Sequence, residues 1–348
     1  MDKLDHAGIE VSAYQFLVVR QPDSAAEGGA RREFANTPEG VQSLADWLVR
    51  PGRRVRVVME ATGLYGLDLA LRLEREPSLE LMVANPRAVR HFAHALMKRS
   101  KNDPIDAGVL VEFARRMPFQ RWPRPSPAAL HLHALARRLE ALTEMHAAEK
   151  NRLHAAQLSE AWPPEVRRDL QRSLRALERA VKRLTRQAVE VIAGDPGLNL
   201  RYQLLLSAHG IGPTSAVQIL AHLAVLSPHL DVRQWVAQAG LDPRHYNSGS
   251  SVHRKTRISK AGNRHLRRAL YMPALVASVR EPHLRAFYLH LLERGKTKMQ
   301  ALVAVMRKLL HAIFGMFKHQ QPFDGSKVYR LQQEASAPQP AFSTAEVA

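Results

Sequence analysis

The sequence contains no cysteine in 348 residues, which excludes disulfide bridges and thiolate zinc sites. No run approaches the roughly 18 consecutive apolar residues that a membrane-spanning helix requires. The N-terminus lacks a signal-peptide pattern, so a cytoplasmic location is expected and a membrane partner is not. The 17 histidines do not restore zinc. Most stand among leucine and alanine in helical text, as in Leu130-His131-Leu132-His133, without paired ligand spacing, and they read as surface or structural residues. Negative charge is also scarce: 32 Asp and Glu face 51 Lys and Arg, a formal net charge of +19. Such an excess points to a polyanionic partner, nucleic acid before a membrane surface. The length and a hydrophobic content of 45% allow two domains, each with its own core.

The first third alternates strand and helix patterns. Residues 7–20 read as a strand, a tight turn and a second strand, with Glu10 interrupting an apolar run. A carboxylate inside a buried strand is costly unless it meets a partner or a metal; on an edge strand it is simply exposed. A third strand is predicted at 31–36, and a helix over 38–49 from the period of Val41, Leu44, Ala45, Leu48 and Val49. Residues 54–60 form a strand ending on Glu60, followed by Ala61-Thr62-Gly63 and a helix. An acid at a strand's C-terminal end, before a glycine turn and a helix, is where α/β folds place ligand and catalytic groups. Another strand follows at 79–85, then a helix from Pro86 to about Met97. In Lys98-Arg99-Ser100-Lys101-Asn102-Asp103-Pro104-Ile105-Asp106, Asp103 reads as the N-cap of a helix running to Arg116, with Asp106 one turn on. Two acids in a basic setting suit a divalent metal beside a phosphate, and equally a capped helix with a solvated acid. Acids at 10, 60, 103 and 106, on two strands and one helix, match a ribonuclease-H-like arrangement.

Prolines 118, 123, 125 and 127 mark 118–127 as a linker. Two long helices are predicted, about 128–160 and 165–193, broken at Trp162-Pro163-Pro164. After Val166 the second carries Leu170, Leu174, Leu177, Val181, Leu184, Ala188 and Val191 at alternating four and three spacing, a coiled-coil seam. That seam suits an antiparallel hairpin, ordinary two-helix packing or a dimer interface, and the sequence does not decide among them. Residues 204–225 read helix, Gly210-Ile211-Gly212, helix: a helix-hairpin-helix, whose turn amides can meet a phosphate without reading bases. Tyr246 to Ser251 read as a polar loop with three serines, followed by Arg254, Lys255, Arg257 and Lys260 and a helix carrying Arg264, Arg267 and Arg268. A serine among cations suits attack on, or contact with, a phosphodiester; a basic loop that only touches backbone is the plainer alternative. Residues 284–317 are predicted helical, and the tail beyond about 331 is expected to be disordered.

Several blocks, in order, resemble transposases of the insertion sequence 110 family, the DEDD-type, Piv-like transposases. They are Gly8-Ile9-Glu10-Val11-Ser12, Glu60-Ala61-Thr62-Gly63 with Tyr65, and Lys101-Asn102-Asp103-Pro104-Ile105-Asp106-Ala107. In the C-terminal half they are His209-Gly210-Ile211-Gly212, Gly240-Leu241-Asp242-Pro243, Ser248-Gly249, and Ile258-Ser259-Lys260-Ala261-Gly262-Asn263 with Leu266-Arg267. The resemblance spans roughly residues 5–320. It implies an α/β ribonuclease-H-like (RuvC-like) N-terminal domain, a helical coiled-coil segment and a mainly α-helical C-terminal transposase domain. The expected segments are 1–117, the linker, 128–195, and 196–330, then the tail.

By position, the resemblance makes Glu10, Glu60, Asp103 and Asp106 ligands of Mg²⁺ and Ser248 the nucleophile. The first acid is usually Asp in the family; Glu10 is one methylene longer, which changes the metal-to-backbone distance. The nucleic-acid contacts expected are Lys101, Gly210, Gly212, Arg254, Lys255, Arg257, Lys260, Arg264 and Arg267. The family also implies insertion-sequence DNA as substrate, a structured bridge RNA as guide, and dimers pairing into tetramers at the nucleoid. A guide of that kind would use the positive charge, since pairing reads the sequence and the protein holds the backbone. The expected activity is a recombinase with a covalent phosphoserine intermediate. The alternatives are a Holliday-junction-resolvase-like nuclease using activated water, and a non-catalytic nucleic-acid-binding protein.

Overall fold

A computed structural model describes residues 3–23, 29–61, 63–97, 102–248 and 252–331. The chain divides into two compact units, the first ending at Arg124 and the second beginning at Pro125.

The first unit is built on a five-stranded sheet. Strands β1 (Lys3–Val11), β2 (Gln15–Pro22) and β3 (Ala30–Ala35) form an antiparallel meander. The β1–β2 turn is pinned by Ser12, whose Oγ accepts from the Tyr14 and Gln15 amides. Helix α1 (Pro38–Leu48) leads to β4 (Arg53–Glu60), and α2 (Leu67–Leu73) to β5 (Leu79–Ala84). Strands β1, β4 and β5 are parallel and need these helical crossovers, which gives the order β3-β2-β1-β4-β5. Helices α3 (Pro86–Ala95) and α4 (Asp103–Arg116) complete the unit.

The pleat sorts the sheet residues between two faces. Ala7, Ile9, Val11, Val55, Val57 and Met59 pack with Leu44 and Leu48 of α1 and Leu69 and Leu73 of α2. The opposite face carries Val58 and Ala84 against Val89 of α3 and Leu110 and Phe113 of α4. At the N-terminal ends of β1 and β4 the buried Asp5 is 2.6 and 2.9 Å from the Arg53 guanidinium and 3.8 Å from that of Arg20, which lies over Trp47. The proline-rich segment after α4 is not a free linker. Trp122 donates its backbone N–H to Leu81 O at 2.6 Å and packs on the sheet core, satisfying edge strand β5.

In the second unit, α5 (Pro127–Leu158) and α6 (Pro164–Ala193) pack on each other within one chain. Only the end near Leu132, Leu139, Ala188 and Ile192 joins the main core; Met145, Leu158 and Val166 at the far end are exposed. That core is completed by α7 (Pro196–Leu206), α8 (Pro213–Leu223), α9 (Val232–Gln238), α10 (Arg264–Arg280), α11 (Pro282–Glu293) and α12 (Lys298–His319). A two-stranded ribbon, β6 (Pro243–Ser248) and β7 (Val252–Ile258), lies between α9 and α10. Eight helices start on a proline: α1, α3, α4, α5, α6, α7, α8 and α11 each carry one in the first turn, where its missing N–H costs nothing. Helix α12 is long and apolar enough, by composition, to cross a membrane, but Leu302, Val305, Leu309 and Ile313 are core residues. The expected disordered tail lies outside the described residues from 332 on.

A group of imidazoles joins α5, α8 and α10. His222 is 1% exposed, stacks on His265 at 5.9 Å and meets His133 edge-on at 5.2 Å. Asn263 Nδ2 lies 3.4 Å from its Nδ1, and its Nε2 is buried without a hydrogen-bond partner. Burial, then the neighbouring His133, His265 and Arg137, pull the His222 pKa down to about 3. Below the ordinary value of about 6.5 the unfolded chain therefore binds a proton that the folded chain refuses until about pH 3. Stability from this group is complete above about pH 6.5 and declines as pH falls. Urea unfolding across that window should show a pH slope in His222→Gln that is shallower than in the parent by up to about 1.4 kcal/mol per pH unit. Equal slopes would show that His222 is not buried neutral.

Candidate active site and nucleic-acid interface

The register Gly8↔Val58 and Ile9↔Met59 runs on to place Glu10 beside Glu60, at the C-terminal ends of adjacent parallel strands about 4.8 Å apart. Glu10 shares the parity of Gly8, and Glu60 that of Val58, so both belong to the face that α4 covers. Gly8 brings the helix in. A Cβ there would overlap the Ala107 carbonyl and lie 2.7 Å from Leu110 Cβ and 2.8 Å from Val111 N. Only glycine lets the first turns of α4 rest directly on β1. Asp103 and Asp106 lie in the turn just before Ala107, so the helix delivers both to the sheet end that carries Glu10 and Glu60.

The cap of α4 is Asn102, not Asp103. Asn102 is extended (φ −154°, ψ 159°) and its side-chain oxygen accepts from the Ile105 amide at 2.9 Å. The carboxylate of Asp103 is thereby left out of capping and exposed in the first turn, with Asp106 half-buried behind it. Both sit in the first turn, at the positive end of the helix dipole. Four carboxylates on rigid element ends have the oxygen-donor chemistry that a hard divalent cation takes. Their side chains do not close on one point: among the described residues no three Asp, Glu or His groups stand as a ligand set. Lys101 lies outside the described residues.

In the second unit, Gly210 and Gly212 fall in the turn between α7 and α8. Gly210 has φ +97°, and a Cβ on it would lie 2.6 Å from Pro273 O. Conformation and close approach to α10 both demand glycine. Ile211 points inward, 4% exposed, while Gly212 caps α8 and leaves that helix's first amides toward solvent. A shallow cavity of about 420 Å³ is lined by Leu206 to Gly212 and Val276. The arrangement suits a phosphate.

The serine-rich segment read as a loop is the β6–β7 ribbon. Ser248 ends β6 opposite Val252, Tyr246 pairs with Arg254, and Arg244 with Arg257. Gly249, Ser250 and Ser251 lie outside the described residues. Lys255 is in β7 between Arg254 and the exposed Arg257. The polar composition hid the strands, although Val252, Thr256 and Ile258 supply β-branched residues at even spacing.

The ribbon is rooted by backbone contacts. Ser259 N donates to Asp242 O at 2.8 Å and Ser259 Oγ to Asp242 Oδ1 at 2.5 Å. Lys260 and Gly240 both have positive φ, and Lys260 N donates to Gly240 O at 3.1 Å. Asn263 caps α10, accepting from His265 N and Leu266 N, and donates its own N–H to Gln238 O. Arg267, expected on nucleic acid, is half-buried and donates to Ala239 O at 2.9 Å, so it braces this root; Lys260 and Arg264 are exposed. A network unforeseen from sequence steadies the same helix: His265 Nδ1 lies 2.6 Å from Glu140 Oε2, and Arg268 pairs with Glu140 and Glu144. Its partners are more than 120 residues apart, and only the Gly262-Asn263 helix start was a local signal.

Comparison with known proteins decides the family. A DEDD transposase profile matches residues 7–163, and the profile described as transposase IS116/IS110/IS902 family matches residues 202–289. The chain belongs to the IS110 family of transposases. It is 29% identical to the pilin gene-inverting protein of Moraxella bovis over 295 residues, 84% of this chain and 89% of that one. The pilin gene-inverting protein of Moraxella lacunata matches to the same extent. A probable family 20 transposase of Pseudomonas aeruginosa is 37% identical over 106 residues, 30% of each chain. This IS110 chain is accordingly a DNA transposase, an enzyme of DNA recombination, and its DEDD class points to divalent metal use.

Gly8→Ala tests the helix seat. It should lower stability by about 3 kcal/mol, the upper range for overpacking, because the new Cβ meets backbone and no flexible side chain. Recombination should fall with it. An unchanged denaturation midpoint would show that α4 does not rest on β1 as described.

Proposed function

We propose that this transposase cleaves and rejoins DNA through a covalent bond to Ser248. The observation carrying the reading is the convergence of Glu10, Glu60 and the first turn of α4, in a family member that also carries Ser248-Gly249. The strand order and the acids at one sheet end support a ribonuclease-H-like, RuvC-like N-terminal domain. Glu10, Glu60, Asp103 and Asp106 would hold Mg²⁺, which when bound offsets charge at a neighbouring phosphate.

The Ser248 oxygen attacks a phosphodiester phosphorus, forming an O–P bond while the bond to the 3′ oxygen breaks. The serine proton balances the one gained by the freed 3′ hydroxyl. The 5′-phosphoserine is then attacked by the 3′ hydroxyl of another strand, restoring the serine. One phosphodiester replaces another at each step, so no external energy source is needed. Arg254, Lys255, Arg257, Lys260 and Arg264 hold the strands and stabilise charge at phosphorus, Arg267 fixes the ribbon root, and the Gly210 and Gly212 turn grips backbone.

The net charge and the exposed arginines of α6, among them Arg168, Arg172, Arg175, Arg179 and Arg183, support binding of a structured bridge RNA as well as DNA. The seam residues Val181 and Leu184 pack toward the core, which supports a coiled-coil segment over 128–195 followed by the transposase domain over 196–330. Dimers that pair into tetramers and a place at the nucleoid follow from the same reading. The inverting activity in the names of the Moraxella relatives also accords with strand exchange.

Ser248→Ala should abolish denaturation-resistant protein–DNA adducts while nucleic-acid binding persists, as read by denaturing electrophoresis and a binding assay. Adducts at the parental level would overturn the assignment, with Ser250 or Ser251 as substitutes. Strand cleavage that persists in Ser248→Ala without an adduct would instead support a resolvase-like nuclease.

A further inference from the structure

The second unit holds a cavity that the recombination chemistry leaves unused. It measures about 610 Å³, within the roughly 300–1,000 Å³ usual for small-molecule sites. Its basic lining comes from Arg307, Lys308, His311 and His319 along α12 and from Lys327 in the segment that follows. Its apolar lining includes Phe287, Phe323, Met316 and Pro322.

The wall is anchored. Helix α12 ends at Gln320 in the left-handed conformation, which turns the chain back along the helix. Phe323 N then donates to Ser207 Oγ at 2.9 Å, Lys308 Nζ to Val328 O at 3.1 Å, and Tyr329 O lies 2.8 Å from His283 Nδ1. Gly325 lies so close to Glu281 that a Cβ would not fit. The cavity is thus preformed, and ordering it costs a ligand little.

The acid–base balance of the lining selects the ligand. Asp324 contributes the one carboxylate, and that group is already engaged by Ser326 N, Ser326 Oγ and Lys327 Nζ. Among the described residues neither Arg307 nor His319 has an acidic partner. His311 Nε2 is buried with no hydrogen-bond partner. Burial, then Arg307 and Lys308, lower the His311 pKa and keep the ring neutral, able to give or take a hydrogen bond. A bare phosphate would leave the aromatic wall unused, and an acyl chain would strand the cations. A flat apolar body bearing a phosphate satisfies both.

We propose that this cavity binds a nucleoside phosphate, either free or as an unstacked nucleotide of a single strand. Arg307 and Lys327 take the phosphate, the base lies against Phe287 and Phe323, and His311 hydrogen-bonds one or the other. The site is independent of the Ser248 reading.

The full chain is irradiated with a short single-stranded DNA carrying 5-iodouracil, and the crosslinked peptide is mapped; dAMP binding is followed separately by calorimetry. Crosslinks to 287 or 316–328, or a dAMP heat, are expected, each lowered about tenfold or more in Arg307→Gln/Lys327→Gln. A crosslink identifies the strand as the source, and a dAMP heat without one identifies free nucleotide. Both variant positions are away from the core, and an unchanged circular dichroism melt verifies folding; Phe323→Ala is the second variant if the first melts early. Absence of both signals, signals unchanged in the variants, or displacement by a polyglutamate peptide and not by dAMP would overturn the proposal.

Discussion

The close approach of α4 to β1 at Gly8 is the contact on which the N-terminal unit's chemistry depends. Helices usually sit on a sheet through interleaved side chains. Here a missing side chain lets the helix backbone down onto the strand, with the Ala107 carbonyl where a Cβ would be. The helix N-terminus then meets the strand ends. Glu10 and Glu60 follow from strand register, and Asp103 and Asp106 from helix period, and the glycine is what lets the helix start approach the sheet end that carries the first pair.

The fold of the first unit was largely legible because its elements obey simple periods. Alternating apolar residues defined the strands, and Val41, Leu44 and Leu48 defined α1. What misled was local chemistry with two solutions. Asp103 and Asn102 are both good caps, and the chain uses the asparagine, which leaves the charged neighbour available. The ribbon around Ser248 was hidden because its residues pair through backbone, with little apolar alternation to reveal it. The four acids were singled out from residue type and position on elements, and the structure puts Glu10 and Glu60 on neighbouring strand ends and Asp103 and Asp106 in the first turn of α4. The bracing of α10 by Glu140, and the seat under α4, were not, since each requires knowing which distant segment packs there.

Cation count alone overstates the surface available to nucleic acid. Arg20 and Arg53 neutralise Asp5, Arg267 supports a backbone carbonyl, Lys308 holds the segment after α12, and Arg268 serves two glutamates of α5. Each of these fixes architecture. Arg168, Arg172, Arg175, Arg179 and Arg183 of α6, Arg244 and Arg257 of the ribbon, and Arg264 in the first turn of α10 are different in kind: they stand exposed. Long basic side chains thus do two jobs in this chain, and burial separates them.

Asp5 and Glu10 share one strand, five residues or about 17 Å apart. The first is sealed with its own arginine counter-ions, so no cation from solution can reach or needs to reach it. The second ends its strand where neighbouring carboxylates gather. A sheet that is internally neutralised at one end and acidic at the other has a polarity of its own. On the proposed reading, that polarity would direct a divalent ion to the Glu10 and Glu60 end without any selective pore or lid.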